Sequence, residues 1–323
     1  MKILFMSSKI LIVGACGQIG SELTLALREI HGNDMVVASD IKRPISPELN
    51  SGLFEVFDAT SYSDFENVVK THQIDKVYMM AAMLSGTAEK FPDKGWDLNM
   101  TSLFNVLNLA KSKLISKVFW PSSIAVFGPT TPKNDTPQRT IMEPTTVYGI
   151  SKQAGERWCE YYNKRYGVDV RSIRYPGLIS YKTPPGGGTT DYAIDIFHEA
   201  LKNSKYTSFL SKDTALPMMY MDDAIEATIS IMEAPEEDIK VRSSYNLSGV
   251  SFTPDDLSKL VKQHIENFEI DYEPDFRQAI ADSWPSSIDD SEARKDWNWK
   301  QNFDLNMIVK KMLEGVKSLE HVN

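Results

Sequence analysis

The stretch Lys9-Ile10-Leu11-Ile12-Val13-Gly14-Ala15-Cys16-Gly17-Gln18-Ile19-Gly20 decides the fold of this chain. Its first five residues form an apolar run that predicts a fully buried strand of a parallel sheet. Leu23, Leu27 and Ile30 then recur at helical spacing and predict a helix over residues 21–30. Strand, glycine turn and helix in this order are typical of dinucleotide binding, because glycines let the backbone approach a phosphate and the helix N-terminus offers free N–H groups. The alternative is a glycine-rich turn without a ligand.

An acidic residue ends the second predicted strand. This strand covers residues 35–39, and Asp40 follows it directly. A carboxylate at this place binds a ribose hydroxyl and repels a 2′-phosphate, which favours NAD over NADP. Lys42 and Arg43 come next and argue in the opposite direction, because a basic side chain there accommodates the phosphate.

Small and polar residues follow the third and fourth predicted strands. Asp58 ends the third, where it lies either over an adenine or at the N-cap of a helix over residues 62–72. The fourth strand, residues 75–82, ends in Ala81-Ala82, whose small side chains let a cofactor lie against the backbone. Ser85 follows in a predicted loop.

Two serines, Ser122 and Ser123, close the fifth predicted strand at residues 118–120. Hydroxyls at the carboxyl end of a parallel strand lie where such sheets bind ligands. The alternative for this pair is a turn or a helix cap.

Tyr148 and Lys152 are four residues apart in a helix predicted over residues 145–165, so their side chains share one face. A free tyrosine titrates near pH ~10 and is a poor base at neutral pH. A lysine ammonium one turn away favours the phenolate and lowers that pKa. The pair is therefore a candidate acid–base couple. The alternative is an ordinary half-exposed helix.

Alternating strands and helices predict an α/β fold, a Rossmann-type doubly wound parallel sheet with a smaller C-terminal substrate lobe. Residues 1–176 are predicted to form the NAD-binding domain, with 219–248 returning to it, and 177–323 to form mainly the substrate-binding lobe. A proline- and glycine-rich loop, Pro184 to Asp191, interrupts the second half. The other elements predicted are helices at 96–113, 191–203, 221–232, 255–266 and 303–316 and strands at 168–174 and 244–247.

Composition excludes several classes of protein. The chain has 323 residues and a formal net charge of −9, with acids spread along its length, which argues against a nucleic-acid or anionic-membrane partner. No apolar run is long enough to span a bilayer, and the first eight residues lack a signal-peptide pattern. Two cysteines, Cys16 and Cys159, do not suggest a disulfide framework and fit a reducing compartment. We expect no metal site and a cytoplasmic protein, or a mitochondrial matrix protein in a eukaryote.

The glycine turn, Asp40, the serine pair and the Tyr148–Lys152 couple follow one another in an order that resembles the extended short-chain dehydrogenase/reductase family. This family includes the nucleotide-sugar epimerases. The resemblance covers nearly the whole chain, and the combination is far more specific than any one motif.

Within that family the chain looks most similar to the L-threonine 3-dehydrogenases of the short-chain type. The Gly-Gly-Gly-Thr-Thr-Asp run is not expected in sugar-nucleotide enzymes. Ser123 stands where many relatives have threonine, which keeps a hydroxyl, and Asn298 replaces an expected glycine in the closing turn. The matching stretches, besides the glycine turn, are Val126-Phe127-Gly128-Pro129-Thr130-Thr131-Pro132-Lys133, Arg174-Tyr175-Pro176-Gly177, Gly186-Gly187-Gly188-Thr189-Thr190-Asp191-Tyr192-Ala193, Ile280-Ala281-Asp282-Ser283-Trp284-Pro285 and Ser287-Ile288-Asp289-Asp290 leading to Asp296-Trp297.

The resemblance implies oxidation of the 3-hydroxyl of L-threonine by NAD⁺ to 2-amino-3-oxobutanoate. It implies that Tyr148 takes the hydroxyl proton, that Lys152 holds the ribose and that Ser122 or Ser123 orients the hydroxyl. It also implies a homodimer through the helices that begin near Trp96 and Thr145. The implied substrate contacts are Ser85, Ser123, Tyr148, Thr189, Thr190 and Trp284. The candidate cofactor contacts are Gly14, Ala15, Cys16, Gly17, Gln18, Ile19, Gly20, Asp40, Ile41, Lys42, Asp58, Ala59, Ala81, Ala82, Asn99, Tyr148, Lys152, Tyr175 and Leu178.

Two other functions compete with this interpretation. A nucleotide-sugar epimerase or dehydratase needs a lobe that grips a diphosphate, usually with arginines. The region after Tyr175 has only Arg242, Arg277 and Arg294, and none lies in a glycine-rich loop. A dinucleotide sensor without turnover is disfavoured by the intact serine, tyrosine and lysine.

Overall fold

The computed structural model describes residues 9–182 and 188–320, in which strands and helices alternate. The strands are β1 (Lys9–Val13), β2 (Val36–Asp40), β3 (Phe54–Val56), β4 (Ile74–Met79), β5 (Lys117–Phe119), β6 (Ser122–Ser123), β7 (Asp169–Arg171), β8 (Ile173–Tyr175), β9 (Gly177–Ile179), β10 (Lys205–Ser208), β11 (Leu216–Tyr220), β12 (Tyr245–Asn246), β13 (Val250–Phe252) and β14 (Glu269–Tyr272). The helices are α1 (Gln18–His31), α2 (Pro47–Asn50), α3 (Tyr62–His72), α4 (Ser85–Lys90), α5 (Pro92–Lys111), α6 (Val147–Tyr166), α7 (Tyr192–Asn203), α8 (Met221–Glu233), α9 (Pro254–His264), α10 (Arg277–Ser283), α11 (Ser291–Trp297) and α12 (Leu305–Glu320).

The described chain divides into two compact units. The first contains the chain through Ser122 together with Ser151–Ile173 and Thr228–Ser244. The second contains Ser123–Ile150, Arg174–Ala227 and the chain from Tyr245 onward. The chain therefore passes between the two units more often than the predicted domain boundaries imply. Residues 123–150 belong to the second unit, although they were predicted to lie in the NAD-binding domain.

The first unit is built on a parallel sheet. Among the described residues this sheet has six strands in the order β3-β2-β1-β4-β5-β7. The chain enters at β1, builds outward to β3 and returns to pair β4 on the other side of β1. The predicted doubly wound α/β fold is thereby confirmed, with its switch point between β1 and β4, where such sheets bind ligands.

Apolar runs made these strands predictable because both faces of the sheet are buried. Leu11, Val37, Val77 and Val118 are completely buried on four neighbouring strands. Helices α1, α3 and α5 pack against the strands, and α3 and α5 supply many of the other side chains of one core cluster. Burial of these side chains supplies most of the stabilisation of the first unit.

The second unit has its own core and smaller sheets. One sheet has the order β13-β11-β9, and a parallel pair joins β10 to β14. Helices α7, α9 and α12 pack on one another and enclose apolar residues such as Phe197, Leu257 and Met312. Thr136 pairs with Ile288, which links two segments distant in sequence.

Three predicted elements differ from the structure. The strand predicted at 168–174 divides at Ser172, so that β7 ends the six-stranded sheet while β8 joins a sheet of order β12-β8-β6. Periodicity could not show this division, because residues 169–175 are all buried. Ser85 begins helix α4 instead of lying in a loop, and α5 begins earlier than predicted, with Pro92 in its first turn. No helix of the described part of the chain is long and apolar enough to cross a membrane.

Candidate active site

The turn after β1 approaches the end of β4 at the switch point. Gly14 has φ +90°, and a Cβ atom built there would lie 2.6 Å from the backbone nitrogen of Ala81. Gly17 caps α1 without a side-chain hydrogen bond to the helix. The turn thus has a bare backbone and a helix N-terminus without a side-chain cap, which fits the pyrophosphate of a dinucleotide.

Asp40 is joined directly to this turn. Its Oδ2 accepts a hydrogen bond of 2.9 Å from Cys16 N, and its Oδ1 accepts one of 2.8 Å from Ile41 N. The Cys16 thiol donates to the backbone oxygen of Lys42 over 3.6 Å. Burial, together with Asp40, raises the pKa of Cys16 to about 11, so the thiol stays protonated at neutral pH. The sequence placed Cys16 in the turn, but only the structure shows that it ties the turn to Asp40.

Asp58 forms a local turn and not a helix cap. Its Oδ1 accepts hydrogen bonds of 2.8 Å from both N and Oγ1 of Thr60. Ser61 is the N-cap of α3, with its Oγ accepting from Asp64 N. The capping alternative for Asp58 is therefore wrong, and the adenine alternative stays a prediction.

Asn99 is buried and holds the segment after β4. Its Oδ1 accepts from Met83 N at 2.8 Å, and its Nδ2 donates to Met83 O at 3.2 Å and to Ser151 Oγ at 3.1 Å. Because this amide is engaged by the protein's own groups, the geometry favours a supporting role beside the cofactor. The predicted Ala81 and Ala82 contacts lie in the segment that Asn99 anchors.

Tyr148 lies in the first turn of α6 and is partly buried in the core of the second unit. A Cβ atom on Gly149 would lie 2.2 Å from Ala125 O, so only glycine lets the start of α6 approach the segment after Ser123. Ser123 hydrogen-bonds the Tyr148 side chain, and its Oγ accepts from Ala125 N at 3.2 Å. Sequence reasoning missed Gly149, although a glycine next to the tyrosine is visible in the sequence.

The electrostatic environment of Tyr148 differs from the one predicted. Burial raises its pKa to about 12, and the hydrogen bond with Ser123 acts in the opposite direction without cancelling it. The expected lowering of this pKa is thus not found in the protein chain alone, because desolvation disfavours the phenolate more than its neighbours stabilise it.

Lys152 lies one turn further along α6, in the first unit, and is 2% exposed. Its Nζ donates to Pro121 O at 2.6 Å and lies 4.5 Å from the centre of the Trp120 ring. Burial lowers its pKa to about 7, while Cys159 and Glu156 act in the opposite direction. The Lys152 ammonium carries three N–H donors and no acceptor.

The two serines have different partners. Ser122 is 1% exposed, and its Oγ donates to Glu156 Oε1 at 2.7 Å in the first unit. Ser123 is partly exposed and bonds Tyr148 in the second unit. This difference favours Ser123 as the hydroxyl that meets a substrate.

The predicted substrate residues occupy several places. Ser85 starts α4 in the first unit. In the second unit Thr189 is buried just before α7, and Trp284 is buried directly after α10. Lys133, which the sequence did not single out, donates from Nζ to Trp284 O at 3.1 Å and to Asp282 O at 2.7 Å.

The remaining candidate cofactor contacts differ in their exposure. Tyr175 is buried at the end of β8, Leu178 is partly exposed in β9, and the side chain of Ile41 is largely exposed. The loop residues Pro184 to Gly187, part of the matching glycine run, lie outside the described residues. Within the described ranges, no group of three or more His, Cys, Asp or Glu side chains is arranged to hold a metal ion.

Comparison with known proteins gives consistent matches. The NAD dependent epimerase/dehydratase family matches residues 10–248. An uncharacterized epimerase/dehydratase from Staphylococcus haemolyticus is 49% identical over 314 residues, covering 97% of this chain and 98% of that protein.

Solved structures are similar over their full length. A partial-consensus L-threonine 3-dehydrogenase is 58% identical with a TM-score of 0.94, covering 96% of this chain and 99% of that one. The holo form of a GalE-like L-threonine dehydrogenase from Cupriavidus necator is 57% identical with a TM-score of 0.93, covering 95% and 99%. A monomeric L-threonine 3-dehydrogenase from a metagenome is 47% identical with a TM-score of 0.92, covering 96% and 99%.

The buried Lys152 predicts a pH-dependent stability. Its pKa falls from 10.5 to about 7 on folding, so the unfolded chain binds more protons between these values and stability rises with pH across that window. Lys152→Met removes this contribution. We expect the free energy of unfolding of the wild type to rise more than that of the variant between about pH 7.5 and 9.5, by on the order of 1–2 kcal/mol.

Urea denaturation at the two pH values measures this difference. The matched control is Lys90→Met, because Lys90 is an exposed lysine at the end of α4. A Lys152→Met difference that is the same at both pH values would contradict the buried, deprotonating lysine.

Proposed function

This chain belongs to the NAD dependent epimerase/dehydratase family, and on that premise we propose that it oxidises the 3-hydroxyl of L-threonine to 2-amino-3-oxobutanoate. The observation that carries the proposal is the hydrogen bond between Ser123 and Tyr148, which pairs a substrate-orienting hydroxyl with a proton acceptor. Support for threonine as substrate comes from the structures at 57–58% identity that are described as L-threonine dehydrogenases.

The residues at the switch point fit NAD. The bare turn at Gly14 would hold the pyrophosphate, Asp40 a ribose hydroxyl, and Lys152 the ribose next to the nicotinamide. When bound, NAD⁺ accepts the hydride that leaves C3 of threonine. Asn99 keeps the segment after β4 in place, so that Ala81 and Ala82 present backbone and small side chains.

Tyr148 takes the hydroxyl proton of threonine onto its phenolic oxygen, and Ser123 orients that hydroxyl. Because burial holds the phenol protonated, Tyr148 needs a nearby cation to act as a base. Lys152, one turn away on α6, supplies that charge. Ser122 is left to a structural role by its bond to Glu156.

The amino-acid end of the substrate requires other groups. We assign Thr189 and Thr190 before α7, Ser85 at the start of α4 and Trp284 after α10 to its binding. Lys133 supports Trp284 by holding two carbonyl groups around it. The thiols of Cys16 and Cys159 are free, which supports a reducing compartment, the cytoplasm or a mitochondrial matrix.

A nucleotide-sugar epimerase is less well supported. Arg242 pairs with Asp169, Arg277 with Asp275 and Arg294 with Asp290. These three arginines are therefore committed to carboxylates of the protein and are poorly suited to a sugar diphosphate. Reduction of NAD⁺ measured with L-threonine and with a panel of UDP-sugars tests the proposal, and turnover of a UDP-sugar without turnover of threonine would overturn it.

We expect NAD⁺ to be preferred over NADP⁺ by more than about tenfold in kcat/KM, since ~1.4 kcal/mol is enough for that ratio. The reason is the carboxylate of Asp40, which the turn and Ile41 hold in place and which repels a 2′-phosphate. Steady-state kinetics with each coenzyme measures the ratio, and Asp40→Asn is expected to reduce it. Equal values for the two coenzymes would point instead to Lys42 or Arg43.

Tyr148→Phe is expected to lower kcat by about 10²–10⁴-fold, the usual size of a positioned acid–base group. The ring is kept, so NAD⁺ affinity and the melting temperature should stay close to the wild type. Tyr62→Phe, on the exposed surface of α3, is the control. If Tyr148→Phe retains more than about a tenth of wild-type kcat, the proton leaves by another group.

We also propose a homodimer through α5 and α6. Trp158 is 40% and Tyr161 46% exposed, and Phe104 packs edge-on against Trp158 with ring centres 5.0 Å apart. A partly exposed aromatic cluster that spans two helices is typical of an interface. Light scattering at micromolar concentration should show a dimer that Trp158→Glu weakens, whereas a 36.5 kDa species for the wild type would contradict it.

A further inference from the structure

Glu156 is a buried carboxylate to which neither the motifs nor the proposed reaction assigns a role. It lies in α6 four residues after Lys152 and is 0% exposed. Its Oε1 accepts a hydrogen bond of 2.7 Å from Ser122 Oγ. A carboxylate is costly to bury unless it is hydrogen-bonded and compensated by charge, so its position needs a reason.

Two side chains of α6 hold the same short segment at the end of the sheet. Lys152 binds it at Pro121 O, and Glu156 binds it at the hydroxyl of the next residue, Ser122. Residues four apart in a helix lie one turn apart on the same face. The two contacts therefore join successive turns of α6 to residues 121–122. The segment is thereby fixed against the helix that carries the ammonium.

We propose that Glu156 is a positioning residue that anchors Ser122 and keeps the Lys152 ammonium in place and charged for the ribose beside the nicotinamide. The proposal rests on the function proposed above only in taking Lys152 to contact that ribose. It does not depend on threonine being the substrate.

The charges around Lys152 support this role. Burial lowers the pKa of Lys152, and Cys159 and Glu156 oppose that effect. Burial also raises the pKa of the Cys159 thiol, with Glu156 acting in the same direction and Lys152 and Arg157 in the other. The thiol is therefore protonated near neutral pH, and of these groups Glu156 alone supplies negative charge to Lys152 there. Tyr148 lies one turn before Lys152 in α6, and burial raises its pKa, so it is also neutral near neutral pH.

Loss of the Glu156 charge has a predictable direction. Lys152 in Glu156→Gln loses its proton at lower pH than in the wild type. NADH affinity should fall as pH rises through about 7 in the wild type, following the Lys152 ammonium. In Glu156→Gln this midpoint should move down by about one pH unit. Above both midpoints the ammonium fraction then differs about tenfold, which sets the largest expected difference in affinity.

Fluorescence titration of NADH from about pH 6 to 9 measures these midpoints, with circular dichroism to verify folding. Two variants separate charge from hydrogen bonding. Glu156→Asp keeps the charge, and Ser122→Ala removes the hydroxyl but keeps the charge, so both should have midpoints near that of the wild type. ADP, which lacks the second ribose, should bind wild type and Glu156→Gln with a ratio that is constant across the pH range.

Two results overturn the proposal. One is a pH midpoint of NADH affinity that is the same in Glu156→Gln as in the wild type. The other is a ratio of ADP affinities, wild type to Glu156→Gln, that varies with pH as the NADH affinity does. Should Glu156→Gln not fold, Ser122→Ala decides: NADH affinity relative to ADP that equals the wild-type value without this anchor overturns the positioning role. If the NADH affinity of the wild type has this pH midpoint but the protein does not oxidise threonine, the proposed substrate is wrong. The proposed role of Glu156 is then unaffected.

Discussion

Desolvation along one face of α6 is the constraint that sets the charge states of the side chains proposed for catalysis. Tyr148, Lys152 and Glu156 follow one another at successive turns of this helix, and each is withdrawn from water to a different degree. Burial favours the neutral form of the tyrosine and of the lysine alike, so it opposes ionisation of both side chains. Neighbouring groups oppose the effect of burial on both side chains without cancelling it.

Short segments that follow the strands contact the buried side chains of α6. In the second unit, Ser123 bonds the phenol, and Gly149 lets the helix approach the backbone at Ala125. In the first unit, the Lys152 ammonium donates to Pro121 O and lies over the Trp120 ring, and Ser122 Oγ donates to the Glu156 carboxylate. Adjacent serines therefore have different hydrogen-bond partners.

The cofactor end depends on a second constraint, the close approach of the first turn to the end of β4. No side chain fits at Gly14, and Cys16 N anchors Asp40 to the same turn. Coenzyme recognition and the topological switch point are thus one structural feature. The similarity to structures described as L-threonine dehydrogenases extends over 95–96% of this chain.

The sequence by itself determined the fold class, the order of strands and helices, the glycine turn, Asp40 and the Tyr148–Lys152 couple. These follow from local signals: apolar runs for strands buried on both faces, glycine at a turn with positive φ, and four-residue spacing on a helix. Tertiary structure alone decided that the strand at 168–174 serves two sheets and that Asp58 does not cap a helix. It also decided that Ser122 and Ser123 have different partners and that Lys133 contacts Trp284 O. It also decided the direction of the Tyr148 pKa, because desolvation depends on how many atoms surround a group, and those atoms come from segments far away in the sequence.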